Sequence, residues 1–212
     1  MHNRQLTAKI FAWVITLATA LLAIIVWGNS LQWHIFSEST YTLFPVFGLI
    51  AFSLLWSQYI TLAVKYYFKF DGAVFAQYYN ITGWLVLLAI LLHPGLLIWQ
   101  LWRSGRGLPP NSYLHYVIPS LKGAVILGMI NLTILLLFEL RRIFAKHSWW
   151  RVFTYVVDIV MFSIFYHGLR LGTQLQTGWY RKVWFFYGGV FLIALLFIYR
   201  CRFVKWRKAK AR

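Results

Sequence analysis

Thr82-Gly-Trp-Leu-Val-Leu-Leu-Ala-Ile-Leu-Leu-His93-Pro-Gly-Leu-Leu-Ile-Trp99 is an apolar run that carries a single imidazole. A second run, Val152 to Leu171, carries another, His167, within Phe165-Tyr-His-Gly-Leu-Arg170. Each run belongs to a stretch near the ~20 residues that an α-helix needs to cross a hydrocarbon core. An ionisable side chain is costly at that depth, so each histidine marks a functional-site hypothesis.

The composition around these runs fits a bilayer. Of 212 residues, 61% are hydrophobic and 12% charged, against roughly a quarter charged in soluble domains. The 21 Lys and Arg face only Glu38, Asp71, Glu139 and Asp158, for a net charge of +17. In a soluble chain that excess would point to nucleic acid. Here the cations lie in short loops and a tail between apolar runs, so lipid phosphate and topology explain them and no nucleic acid is expected. The lone Cys201 offers neither a disulfide nor a thiolate cluster.

Six runs reach spanning length, at about 8–27, 41–63, 80–102, 119–139, 150–171 and 183–200. The first follows Arg4 and Lys9 and is too long for a signal-peptide core, so it reads as a retained signal anchor. No internal repeat is visible. The expected fold class is all-α: one six-helix transmembrane bundle over 1–212, with a basic tail at 201–212. Fifteen of the cations fall on one side: Arg4, Lys9, Lys65, Lys69, Arg141, Arg142, Lys146, Arg151 and seven from Arg200 onward. The other side holds six, namely Arg103, Arg106, Lys122, Arg170, Arg181 and Lys182. The positive-inside bias therefore predicts both termini in the cytoplasm, with the tail along the inner membrane face.

With that topology the third and fifth spans both run outward, and both histidines fall in the outer half. Neutral imidazole ligates iron without a charge to desolvate, so two histidines on parallel spans suit the two axial positions of a haem. Each alone is equally explained by an interhelical hydrogen bond. Gly83, Gly95 and Gly168 lie near the proposed ligands along the chain, and small residues allow close packing. Pro94 is expected to bend the third span just after His93. Haem propionates would need cations at the outer surface. Arg170, three residues from His167, is the first candidate, followed by Arg103 and Arg106.

Other polar residues are weaker candidates. His34 and His115 lie in outer loops, and the 103–115 loop reads either as a connector or as a cover for a cofactor edge. His147 precedes Trp149-Trp150, an expected interfacial belt. Asp158, inside the fifth span, reads either as a hydrogen-bond partner for a neighbouring span or as a proton or quinone site.

Gly83 followed ten residues later by His93, and Trp150-Arg-Val-Phe-Thr154-Tyr followed by Phe-Tyr-His167-Gly, resemble the third and fifth helices of the ferric reductase-like transmembrane domain. That family includes ferric reductases, NADPH oxidases and the bacterial MsrQ haem subunit. The resemblance covers about 45–200 and implies a six-helix bundle that binds b-type haem and moves electrons across a membrane. Two-haem members carry a second histidine on each of these helices. Tyr79 or Asn80 and Thr154 stand at those places here, so one haem is expected. No flavin or NADPH fingerprint is present.

The expected protein is a multi-pass b-type cytochrome of a bacterial inner membrane, with His93 and His167 as axial ligands of one haem b. Its electrons would come from a cytoplasmic or membrane donor, through a partner's flavin or a quinone, and leave to an outer-side acceptor. The alternatives are a redox-inactive scaffold or assembly protein of the same fold, and a small transporter, which the lack of a repeat disfavours.

Overall fold

Each of the six apolar runs forms a helix long enough to cross a membrane, at Asn3–Ser30, Thr40–Phe68, Gly72–Arg103, Pro119–Phe138, Val152–Leu171 and Trp179–Lys210. The computed structural model describes residues 2–34, 40–139 and 150–210. Among these residues all regular structure is helical: α1 (His2–Ser30), α2 (Thr40–Phe68), α3 (Ala76–Arg103), the short α4 (Asn111–Tyr116), α5 (Lys122–Glu139), α6 (Trp150–Leu171) and α7 (Trp179–Lys210), with three 3-10 turns. Glu38, Arg141, Arg142, Lys146, His147 and Trp149 lie outside the described residues. The chain is a multi-pass integral membrane protein, and its even number of spans brings the end of α7 to the side where α1 begins.

Packing in this bundle is that of a protein in lipid. On α1 the buried stripe is Ala8, Ala12, Thr16, Thr19 and Ala23, whereas Leu6, Ile10, Val14, Leu17 and Leu21 face outward. Small residues line the helix contact and large apolar ones meet the surroundings, because lipid tails solvate leucine as well as a core does. At Thr16 the contact is also hydrogen-bonded, since its Oγ1 lies 2.9 Å from both Ser57 Oγ and Tyr78 Oη. The main core joins α1, α2, α6 and α7 through aromatic rings. Trp56 Nε1 donates to the Tyr187 carbonyl at 2.8 Å, and Trp184 Nε1 to that of Phe165 at 3.2 Å. Such bonds let large rings bury their one polar atom.

The helices form two hairpins that matter for function. α2 packs along α3, and α5 along α6, but the two pairs meet each other only sparsely. α3 continues through Pro94 as one helix, which is tolerated where neighbouring helices support the backbone around the missing hydrogen bond. α7 continues unbroken to Lys210, so most of the basic tail is helical. Its 32 residues span about 48 Å at ~1.5 Å each, well beyond a ~30 Å core.

Candidate functional site

His93 on α3 and His167 on α6 come together, although 74 residues separate them (167 minus 93). Their ring centroids are 6.5 Å apart with planes at 82°. Each histidine belongs to a different hairpin, so the pair spans the sparse contact between the two.

The same local device holds both rings. His93 Nδ1 lies 2.8 Å from the Phe44 carbonyl, near the start of α2. His167 Nδ1 lies 2.8 Å from the Ala124 carbonyl, near the start of α5. A carbonyl can only accept, so each Nδ1 carries the proton and each Nε2 keeps its lone pair. Four residues beyond each carbonyl stands a glycine against the ring. A Cβ on Gly48 would sit 2.8 Å from His93 Cε1, and one on Gly128 would sit 2.4 Å from His167 Cε1. Each imidazole therefore occupies the space of a missing side chain on the antiparallel partner helix. Phe44 adds a tilted ring contact to His93 at 5.4 Å.

These four partners were not singled out in the sequence. The glycines that were singled out do something else: a Cβ on Gly95 meets nothing within 4 Å, and one on Gly168 would meet Trp184. Nearness along one helix does not place a residue on the ring, because the imidazole leans across to the neighbouring helix. The readable signal is a glycine about two turns into the helix that precedes each histidine helix.

No protein-family model, curated protein or solved structure matches this chain. The functional reading therefore rests on the residues.

The other candidate residues lie around this pair. Arg170 is exposed one turn above His167, and its guanidinium reaches the Ser120 carbonyl only at 3.4 Å. Arg103 and Arg106 are exposed at and beyond the end of α3, ten or more residues past His93. The 103–115 loop folds back onto the His93 side of the bundle. Tyr113 donates to the Pro94 carbonyl at 3.4 Å, and Tyr116 stacks on Tyr41 with centroids 5.5 Å apart. Burial pushes the Tyr113 phenol up to about 12, so it remains a neutral donor at ordinary pH. His115 is turned away, bonded to the Asn111 carbonyl of its own short helix.

Near the start of α3, two phenols pack into the bundle. Tyr78 is buried against Thr16, Ser57 and Trp13, and Tyr79 packs edge-on to Phe75 and Tyr78. Asp158 sits between α2 and α7, accepting hydrogen bonds from Tyr59 and Tyr199. Among the described residues no three His, Cys, Asp or Glu side chains converge.

Proposed function

We propose that His93 and His167 are the axial ligands of one b-type haem and that the chain is the electron-transfer subunit of a membrane oxidoreductase system of the ferric reductase-like or MsrQ-like kind. The observation that carries this reading is the 6.5 Å between the ring centroids. An imidazole–metal bond of about 2.0 Å plus about 1.1 Å from ring centroid to Nε2, taken on both sides of an iron, gives about 6.2 Å. Both Nε2 atoms keep their lone pairs because both Nδ1 protons are committed to carbonyls, which also fixes ring orientation and raises basicity. Two protein ligands leave four equatorial positions, the number a porphyrin supplies.

When bound, haem b carries one electron by cycling its iron between ferric and ferrous states. The residues do the rest. His93 and His167 fill both axial positions and so exclude direct oxygen binding. Gly48 and Gly128 let the rings seat against their helices. Arg170, with Arg103 behind it, offers a charge-assisted bond to a propionate on the side away from the termini. Tyr79 or Asn80 and Thr154, standing where the resembled family's second pair of histidines would be, support one haem rather than two. Electrons then arrive from a cytoplasmic partner's flavin or from a quinone within the bilayer, and leave to an acceptor on the outer side. Both termini stand on the cytoplasmic side in this reading, and the membrane is a bacterial inner membrane.

The reduced-minus-oxidised absorption spectrum of the purified protein tests the reading. A low-spin bis-imidazole haem is expected, lost in His93→Ala and in His167→Ala and retained in His115→Ala. A protein purified without haem, whose two histidine variants match it in stability and cellular effect, would instead be the redox-inactive scaffold.

A further inference from the structure

The buried ionisable group that the haem site leaves unused is Asp158, 7% exposed within the apolar α6. Each of its carboxylate oxygens is taken by a phenol from a different helix. Tyr59 of α2 donates to Oδ1 at 2.6 Å, and Tyr199 of α7 donates to Oδ2 at 2.6 Å. Contacts this short suit two phenols donating to a carboxylate, and they equally suit a carboxylic acid that donates to one phenol turned to accept. The site can therefore hold the carboxyl with or without its proton.

The remaining groups around it define its surroundings. Arg202, three residues beyond Tyr199 on α7, lies over the Tyr199 ring at 5.7 Å from its centroid and within electrostatic reach of Asp158. Tyr155, on Asp158's own helix, stacks on Tyr199 at 5.7 Å. Tyr59 and Tyr199 are both half-buried. The carboxylate thus links a phenol of α2 to one of α7 that directly precedes the exposed Arg200. Its distance from His167 is nine residues of one helix, or about 13.5 Å. Buried charges at that separation are screened much less than surface ones. Asp71 caps the turn before α3 and lies outside the spanning helices.

We propose that Asp158 is a proton-binding site coupled to electron occupancy of the His93–His167 site, an inference that rests on the haem reading above. An electron delivered by a flavin or quinol donor adds negative charge between the histidines. Asp158 then gains a proton: Tyr199 passes its phenolic proton to Oδ2 and recovers one from water on the side of the termini. The one bond formed at Asp158 is O–H, and the carboxylate becomes a carboxylic acid. When the electron leaves for the acceptor, the proton returns by the same route. A clasp serving only to join α2, α6 and α7 has no need of a charge inside the membrane, where charge is costly.

Redox titration of the haem-loaded, full-length protein across pH tests this, using dithionite as reductant. The reduced state holds the extra proton, so the potential is expected to fall as pH rises. The limit is about 59 mV per tenfold change in proton concentration for a one-electron couple. Asp158→Asn can keep both phenol contacts with one hydroxyl turned, so it is expected to retain haem and absorption but lose the pH dependence. Reduced-minus-oxidised infrared spectra of the wild type should gain a carboxylic-acid carbonyl band that Asp158→Asn lacks. The infrared arm decides the matter even if that variant does not fold. Haem present with a pH-independent potential, or with no new carboxyl band on reduction, overturns this proposal alone. A protein without haem overturns both readings.

Discussion

Replacing Gly128 by alanine probes the site where its tolerance is smallest. The new Cβ would stand 2.4 Å from His167 Cε1, and ordinary van der Waals contact begins at 3.4 Å, so ring and helix must part by about 1 Å. Metal–ligand distances hold within about 0.2 Å, so the proposed His167–iron bond would not survive that displacement unless the whole helix yields. Loss of a group that orients a ligand typically costs about 10–100-fold in affinity, and Gly128→Ala is expected at the upper end. Gly48→Ala asks for about 0.6 Å, from 2.8 to 3.4 Å, and is expected to be milder. Gly95→Ala, with nothing within 4 Å, is the silent control. Alanine is the better helix former by about 1 kcal/mol, so none of the three should lose the fold through propensity. Haem per protein and the low-spin signal are measured on material matched for thermal stability. The expected order of loss is Gly128→Ala, then Gly48→Ala, then Gly95→Ala with none. A wild-type spectrum in Gly128→Ala, or a greater loss in Gly95→Ala, would refute the claim that the two glycines seat the ligands.

Three further outcomes are expected. Arg170→Gln would remove the charge-assisted bond proposed to a propionate and should then lower haem retention or shift its potential; no change in either reduces Arg170 to an interfacial anchor. Haem quantified against protein should approach one per chain and stay there in Thr154→Ala, and a measured ratio of two would defeat the single-haem assignment. Thr16→Val breaks the buried Thr16–Ser57–Tyr78 contact at a cost of about 0.6–1.7 kcal/mol. It should lower the melting temperature by a few degrees without touching the haem spectrum, and a spectral change would mean that this cluster reports to the site.

Much of this protein is legible along the chain because a bilayer permits few solutions. Apolar runs of spanning length must close their own backbone hydrogen bonds, so helix is the only choice for a run flanked by loops of cations. That reasoning placed His93, His167 and Asp158 inside spans and marked all three as unusual. It also found six crossings, though the helices overrun the apolar runs, most of all in α7.

What lay beyond the sequence was set by which helices pair and how they are turned. Phe44, Gly48, Ala124 and Gly128 look like ordinary members of apolar runs. They matter because α2 lies antiparallel to α3 and α5 to α6, which brings a carbonyl and an absent side chain opposite each imidazole. The glycine-to-histidine spacing differs between the two hairpins, so no repeat of fixed period betrays the shared device. Tyr59 and Tyr199 likewise meet at Asp158 from helices 140 residues apart (199 minus 59). Hydrophobicity decides that a segment enters the membrane, but in lipid it does not choose the segment's neighbours. Shape complementarity and a few hydrogen bonds between helices do that, and they exist only once the bundle has formed.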